Sequence, residues 1–156
     1  MRIYIVCVRV CIVYDTRRGS TETFARWLKE SFEQKGHTAT TFRAGEDVQL
    51  EECDLVLIGS PIYYEKPLKS VMDFVKSHRD ALKNIPVAVF VVCMANLFGH
   101  FAEGYIRKKY LGALSKNLPN PPVAAAHFVG WLRKENPSRA EDVRRWADEI
   151  LQSLEK

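Results

Sequence analysis

The sequence predicts one α/β domain in which a parallel sheet is covered by helices on both faces. Five short apolar segments alternate with segments of helical periodicity, the pattern of repeated βαβ units. Several of the apolar segments are continuous, which is typical of parallel strands buried on both faces. The chain has 156 residues, of which 47% are hydrophobic and 27% charged, so residues 1–156 suit a single globular domain.

The first apolar segment predicts a strand over residues 8–14, with residues 1–7 as an N-terminal extension. A polar, glycine-containing turn follows at residues 15–20. The next segment, residues 21–34, is predicted to be a helix because its large apolar residues are spaced three and four apart. These residues are Phe24, Trp27, Leu28 and Phe32.

Two further strands are predicted at residues 38–42 and 55–58, the latter closed by Gly59-Ser60-Pro61. Pro67 is placed at the first turn of the next helix, where its missing N–H is tolerated. That helix extends to Leu82.

The fourth strand, residues 87–93, is the most apolar stretch of the chain. A helix over residues 101–118 and a fifth strand over residues 123–129 follow. Ser138 and Glu141 have the spacing of a capping box, which predicts the start of the last helix.

The four cysteines are Cys7, Cys11, Cys53 and Cys93, and none of them forms a C-x-x-C pair or a zinc-type cluster. They lie in or beside apolar runs, so we expect free thiols in a reduced, cytoplasmic setting and no metal site. The formal net charge of +4 is too small to imply nucleic-acid binding, but it favours anionic ligands.

The first strand leads into Thr16-Arg17-Arg18-Gly19-Ser20-Thr21, directly before a helix. A helix N-terminus offers unpaired N–H groups and partial positive charge, and this segment adds hydroxyls, arginines and a flexible glycine. We therefore predict a phosphate-binding loop. The alternative is that Ser20 and Thr21 only cap the helix.

Other phosphate motifs fit less well. The chain has neither the P-loop pattern nor the dinucleotide G-x-G-x-x-G. Cys11 and Arg17 have the spacing found in cysteine-dependent phosphatases, but a nucleophilic thiolate needs an exposed site and Cys11 is inside an apolar strand. The third strand ends in Gly59-Ser60 rather than the aspartate of a response-regulator receiver.

The segment 16–21 resembles the FMN-phosphate loop of flavodoxins, with Arg18 in place of the usual central threonine. Gly59-Ser60-Pro61-Ile62-Tyr63-Tyr64 resembles the second flavodoxin loop, which brings an aromatic ring to the flavin. This resemblance covers essentially the whole chain, and is strongest to the flavodoxin-domain branch that contains menaquinone-dependent protoporphyrinogen dehydrogenase. It implies a flavodoxin-like three-layer sandwich with a five-stranded parallel sheet in the order 2-1-3-4-5.

The resemblance also implies FMN as the cofactor and assigns its contacts to three loops, with no catalytic side chain of the protein's own. Tyr63 or Tyr64 is expected against the ring, and main-chain groups of 60–64 and 94–97 at its polar edge. The implied FMN-binding residues are Thr16, Arg17, Arg18, Gly19, Ser20, Thr21, Ser60, Pro61, Ile62, Tyr63, Tyr64, Met94, Ala95, Asn96 and Leu97.

The function implied is an FMN-dependent oxidoreductase acting on a quinone, a porphyrinogen-like small molecule or a redox partner protein. Two alternatives stay open: an electron carrier between redox proteins, and a flavodoxin-fold binding module without FMN. Carrier flavodoxins are typically acidic, whereas this chain is basic, so we expect a less negative potential for the fully reduced flavin. Leu97, Phe98 and Phe101 beside Arg107-Lys108-Lys109 fit peripheral membrane contact, although ordinary helix packing is favoured. Exposed aromatics also leave room for a homodimer.

Overall fold

The computed structural model describes residues 7–93, 104–131 and 136–155. Its five longer strands are parallel and lie in the order β2-β1-β3-β5-β6, while the short β4 pairs antiparallel with the end of β3. This confirms the predicted order of five strands. The strands are β1 (Arg9–Tyr14), β2 (Thr38–Arg43), β3 (Leu55–Tyr63), β4 (Lys66–Pro67), β5 (Val87–Cys93) and β6 (Ala124–Val129).

Helical segments cover both faces of the sheet, as the sequence predicts. One apolar core contains Phe24 and Leu28 of the first helix with Trp146 and Ile150 of the last. The core on the opposite face includes Phe74 and Ile106. The α-helices are α1 (Ser20–Gln34), α2 (Lys69–Ser77), α3 (Arg79–Leu82), α4 (Gly112–Ser115) and α5 (Ala140–Leu154), with a π-helix at Ile106–Leu111 and 3₁₀ turns at Leu50–Glu52 and Pro137–Arg139.

Strand β3 is longer than the sequence predicts. The expected stop at Gly59-Ser60-Pro61 is wrong, because these residues continue to pair with β5 opposite Phe90, Val91 and Val92. Strand β1 ends opposite Gly59, so Pro61 faces no partner on that side. A proline that lacks an N–H is tolerated in a strand at such an edge.

Pro67 does not begin a helix. It pairs with Ile62 in β4, so residues 62–67 form a β-hairpin, and α2 starts two residues later at Lys69. This hairpin was not predictable from its turn residues, because these are Tyr64 and Glu65 rather than the usual Asn-Gly or Asp-Gly.

The predicted capping box at the last helix does not form. Ser138 lies in the 3₁₀ turn, where its N–H and hydroxyl both donate to Oδ1 of Asn136 at 3.2 and 2.7 Å. Glu141 pairs with Arg144 instead. The extra 3₁₀ turn moves the start of α5 to Ala140 and separates Ser138 from the first helical N–H groups.

The expectation that all four cysteines are free is wrong for one pair. Cys11 in β1 and Cys53, two residues before β3, form a disulfide with their Cα atoms 5.9 Å apart. Cys7 and Cys93 are free. The two bonded residues are 42 positions apart, so only the folding of the sheet brings them together. The expectation of a reduced, cytoplasmic setting rested on free thiols, so these two cysteines do not support it.

We expect Gly59→Ala to lower the free energy of unfolding by about 2–3 kcal/mol, because overpacking a rigid core forces strain. A Cβ atom at Gly59 would lie 2.0 Å from Cζ of Phe90, whose ring is fully buried. Urea denaturation measures the change. The matched control is Gly45→Ala, since no atom lies within 4 Å of a Cβ at that position. Equal effects of the two substitutions would contradict the prediction.

Candidate functional site

Two of the three predicted loops meet at one edge of the sheet. The first loop, residues 15–21, follows β1, and the second loop, residues 60–66, forms the end of β3 and its hairpin. Because the carboxyl ends of parallel strands lie at the same edge, the two loops are neighbours, as expected for ligand sites in open α/β sheets. The third loop, 94–99, which includes Met94, Ala95, Asn96 and Leu97, lies outside the described residues, as do Phe98 and Phe101.

Asp15 organises the base of the first loop. Its Oδ1 accepts the Thr16 N–H at 2.9 Å and binds the Arg43 guanidinium at 2.5 Å, while its Oδ2 accepts the Ser70 hydroxyl at 2.6 Å. Partial burial raises the pKa of this carboxyl group, but the hydrogen bonds from Ser70, Arg43 and the Thr16 N–H outweigh it, so the pKa lies below its ordinary value. The charged carboxylate therefore fixes where the loop begins.

The loop then turns sharply into α1. The Thr16 hydroxyl accepts the Gly19 N–H at 2.9 Å, and Gly19 adopts a φ of 96°, which favours glycine. Gly19 is the N-cap, its carbonyl accepts the Thr23 N–H at 3.1 Å, and no side chain caps the helix. The alternative in which Ser20 and Thr21 serve as caps is therefore wrong. The N–H groups of residues 20–22 occupy the first turn, where the helix itself offers them no acceptor.

Thr21 carries an unusual hydroxyl. The residue is 0% exposed, and its Oγ1 has no hydrogen-bond partner among the described residues. A buried hydroxyl without a partner costs about 1–3 kcal/mol, so such groups are rare unless a ligand satisfies them. Its position in the first turn of α1, beside the unpaired N–H groups, fits the phosphate predicted for this loop.

The two arginines of the first loop, Arg17 and Arg18, are exposed. The Arg17 guanidinium carbon lies 5.1 Å from the centre of the Tyr63 ring, a cation–π contact that links the two loops. Arg18 and Ser20 line a cleft together with Tyr63. Both loops therefore contribute cationic and aromatic groups to one surface.

The base of the hairpin is held by Ser60. This residue is fully buried, and its Oγ donates to the Pro61 carbonyl and accepts the Leu68 N–H, both at 2.8 Å. The Ser60 hydroxyl is therefore used in hydrogen bonds within the hairpin, and only the main chain of this residue is available to bind a ligand. Pro61, Ile62 and Tyr63 face the cleft.

The tip of the hairpin is strained and anchored. Tyr64 and Glu65 have φ values of 50° and 67°, which are unfavourable for residues with side chains. Glu65 accepts hydrogen bonds from the hydroxyls of Tyr110 and Tyr105. The bond from Tyr110 is the main cause that lowers the pKa of Glu65, while burial and then this bond raise the pKa of Tyr110. Tyr64 itself is 91% exposed at the tip.

The cleft between these loops encloses about 80 Å³ in the described structure. Whole cofactors usually need about 300 Å³ or more, so the described walls accommodate only part of one. Sequence reasoning missed four lining residues: Val92, Cys93, Gly130 and Trp131. Trp131 was detectable in principle, because it follows the fifth strand and therefore lies at the same edge of the sheet.

The described residues contain no cluster of three or more histidine, cysteine or acidic side chains that could hold a metal. Within the same residues, no helix combines the length and apolar character needed to cross a membrane. The described lining of the cleft holds no carboxylate or histidine. The described part of the site therefore offers groups suited to an anion and an aromatic ring.

We expect Asp15→Asn to lower the free energy of unfolding by about 1–2 kcal/mol at pH 7, because the hydrogen bonds from Thr16, Arg43 and Ser70 lose their charged acceptor. The lowered pKa of Asp15 means that its contribution is complete above the unfolded-state value of about 3.9 and is lost as the pH falls through the folded-state pKa. Urea denaturation of both proteins from pH 7 to pH 3 should show the difference shrink. Asp80→Asn is the control, because the Asp80 side chain is 96% exposed; a difference independent of pH would contradict the prediction.

Comparisons with known proteins agree with this architecture. Protoporphyrinogen IX dehydrogenase (quinone) from Escherichia coli strain K12 is 30% identical over 87 residues, which make up 54% of this chain and 48% of that protein. The chain thus spans about half the length of the curated relatives it matches. A short-chain flavodoxin associated with a non-canonical PDU bacterial microcompartment has a TM-score of 0.69 at 16% identity, covering 94% of this chain and 98% of that one.

The fold also occurs inside a larger redox protein. The rubredoxin oxygen:oxidoreductase of Desulfovibrio gigas matches with a TM-score of 0.64 at 20% identity, over 94% of this chain and 36% of that one. A family model described as flavodoxin domain matches residues 11–141, from the first strand into the last helix. The chain therefore belongs to the flavodoxin domain family, and this membership indicates that it binds FMN.

Proposed function

We propose that this protein uses FMN to oxidise or reduce a quinone or a porphyrinogen-like small molecule. Membership of the flavodoxin domain family supports an FMN-binding redox function. The finer assignment is supported by the 30% identity to a protein named protoporphyrinogen IX dehydrogenase (quinone). The basic composition, with a net charge of +4, favours a substrate that carries carboxylates.

The phosphate of FMN binds at the first loop, between Thr16 and Thr21. The observation that carries this placement is the buried Thr21 hydroxyl, which has no partner among the described residues. The hydroxyl and the N–H groups of the first turn of α1 donate to the phosphate, and the helix dipole adds attraction. Arg17 and Arg18 supply positive charge around it.

The flavin ring lies beside the second loop. Pro61, Ile62 and Tyr63 provide an apolar and aromatic wall, and Trp131 lines the same cleft. When bound, FMN supplies the electron transfer, and the protein binds, orients and tunes it. The Glu65–Tyr110 hydrogen bond positions the hairpin that carries Tyr63 and Tyr64.

Isolation of the protein with its flavin, followed by anaerobic turnover, tests the proposal. We expect a yellow protein that releases FMN and reacts catalytically with a soluble menaquinone analogue or with protoporphyrinogen IX. Turnover only in the presence of a second redox protein would favour the electron-carrier alternative. A colourless protein with no affinity for FMN would leave a binding module and overturn the proposal.

We expect Thr21→Val to weaken FMN binding about tenfold to a hundredfold, because one hydrogen bond to a charged phosphate is worth about 1.5–3 kcal/mol. The same change should raise the free energy of unfolding of the apoprotein by about 1 kcal/mol, since it removes a buried hydroxyl that has no partner. Fluorescence titration and urea denaturation measure the two effects.

Riboflavin, which lacks the phosphate, is the matched ligand for this prediction, and its affinity should not change. Thr40→Val is the control variant, because Thr40 is exposed on β2. If Thr21→Val left FMN affinity unchanged, or weakened riboflavin equally, the placement of the phosphate would be wrong.

We expect replacement of Arg17 and Arg18 by glutamine to lower the midpoint potential of the bound flavin by roughly 20 mV for each charge removed. Positive charge near the ring stabilises the anion formed on reduction, and its loss favours the oxidised state. Spectroelectrochemical titration at low salt measures this shift. Lys116→Gln removes one exposed charge near the opposite edge of the sheet and should have almost no effect, so an equal shift there would contradict a local role of the arginines.

A further inference from the structure

The Cys11–Cys53 disulfide is a second redox-capable group, separate from the flavin cleft. Both residues are nearly buried, with 8% and 6% of their surface exposed. Cys11 lies three residues before the carboxyl end of β1. At about 3.3 Å per residue, this places it about 10 Å along the strand from the end of β1, after which the first loop begins.

A surface cavity of about 400 Å³ leads to Cys11. It lies between β2 and the segment that precedes β3, and has the size of a small-molecule pocket. Most of its lining residues are of polar type: Arg9, Thr38, Thr40, Asp47, Gln49 and Glu52 accompany Val10, Cys11 and Phe42. Cys53 is not part of this lining, so Cys11 is the member of the pair that a nucleophile in the cavity meets.

We propose that Cys11–Cys53 is a thiol-exchangeable disulfide, reduced by a small thiol that enters this cavity, and that its redox state controls how tightly FMN is held. A thiolate attacks Sγ of Cys11, the S–S bond breaks, and Cys53 leaves as a thiolate that takes a proton. A second small thiol then attacks the mixed disulfide, which releases the Cys11 thiol and forms the small-molecule disulfide. The two electrons come from the two small thiols.

The surroundings of Cys53 accommodate the reduced state. The Gln49 carbonyl oxygen lies 3.5 Å from Sγ of Cys53, within hydrogen-bonding range of a thiol. The Cys53 N–H donates to the Leu50 carbonyl at 2.9 Å, and this bond does not depend on the disulfide. Reduction thus leaves a satisfied thiol rather than an orphaned polar group.

The link to the flavin rests on the proposed function and follows the segment 44–53. Its end is held by the disulfide, and its start by the Ala44 N–H, which donates to the Tyr14 carbonyl at 2.8 Å. Arg43, the residue before it, binds Asp15, which accepts the Thr16 N–H. Removing the cross-link increases local opening of this segment, and therefore loosens the support of the phosphate-binding loop.

The experiment uses the full chain carrying Cys7→Ser, so that the exposed free thiol does not contribute. Differential alkylation and intact mass measurement across glutathione buffers report the state of the pair, and fluorescence titration reports FMN affinity in each state. We expect Cys11 and Cys53 to resist alkylation without reductant and to become labelled together in reduced glutathione. We expect FMN affinity to fall about tenfold on reduction, a typical coupling between two sites.

Cys53→Ala provides the second variant. We expect its FMN affinity to match that of the reduced protein and to be insensitive to glutathione. If this variant does not fold, the alkylation and titration of the Cys7→Ser protein decide the matter alone.

Labelling of both cysteines without reductant, resistance to excess reduced glutathione, or equal FMN affinity in both states would each overturn the proposal. If neither state binds FMN, the proposed function fails and the control of flavin binding fails with it. The alkylation data would then decide independently whether the disulfide exchanges with glutathione.

Discussion

One carboxylate connects the parts of the chain that form the site. Asp15 directly follows β1 and binds Arg43 at the end of β2, Ser70 near the start of α2 and the backbone of Thr16. Three elements distant in sequence are therefore fixed around the point where the first loop begins. Because the loop is short, its start at Asp15 and its turn at Gly19 determine where the first N–H groups of α1 point.

The second loop reaches the site through a different constraint. Gly59 allows β3 to pass against the ring of Phe90, which leaves no room for a side chain. Beyond that point β1 has ended, and the chain continues as a hairpin closed by Ser60 and carried outwards to Tyr64 and Glu65. The positive φ values at the tip cost of order 1–3 kcal/mol each, and the Tyr110 hydrogen bond to Glu65 helps to offset that cost. Strain of this kind at the edge of a cleft is typical of functional sites.

The chemistry of the site follows from what the fold leaves unsatisfied. The start of α1 has no side-chain cap, and the Thr21 hydroxyl beside it is buried without a partner among the described residues. Both observations support the proposal that an anion binds at this position, as does membership of the flavodoxin domain family. The disulfide joins the two ends of the same region of sequence, since the first loop, α1 and β2 all lie between residues 11 and 53.

The sequence by itself determined the class of fold and the location of the first two loops. These depend on local patterns, namely apolar runs, helical spacing and a hydroxyl-rich turn before a helix, which act within a few residues of each other. The order of the five main strands was implied by the resemblance of the two loop motifs to flavodoxins, and the structure confirms it.

Only the tertiary structure decided the features that join distant residues. The hairpin at 62–67, the Cys11–Cys53 disulfide and the role of Asp15 depend on pairs separated by the sheet topology, which spacing along the chain does not reveal. The predictions for Pro67 and Ser138 were wrong because the structure overrides a local preference at each. Pro67 pairs in a strand, and Ser138 lies in a 3₁₀ turn. Local propensities are worth only about 1 kcal/mol per residue, and the packing of the whole sheet outweighs them.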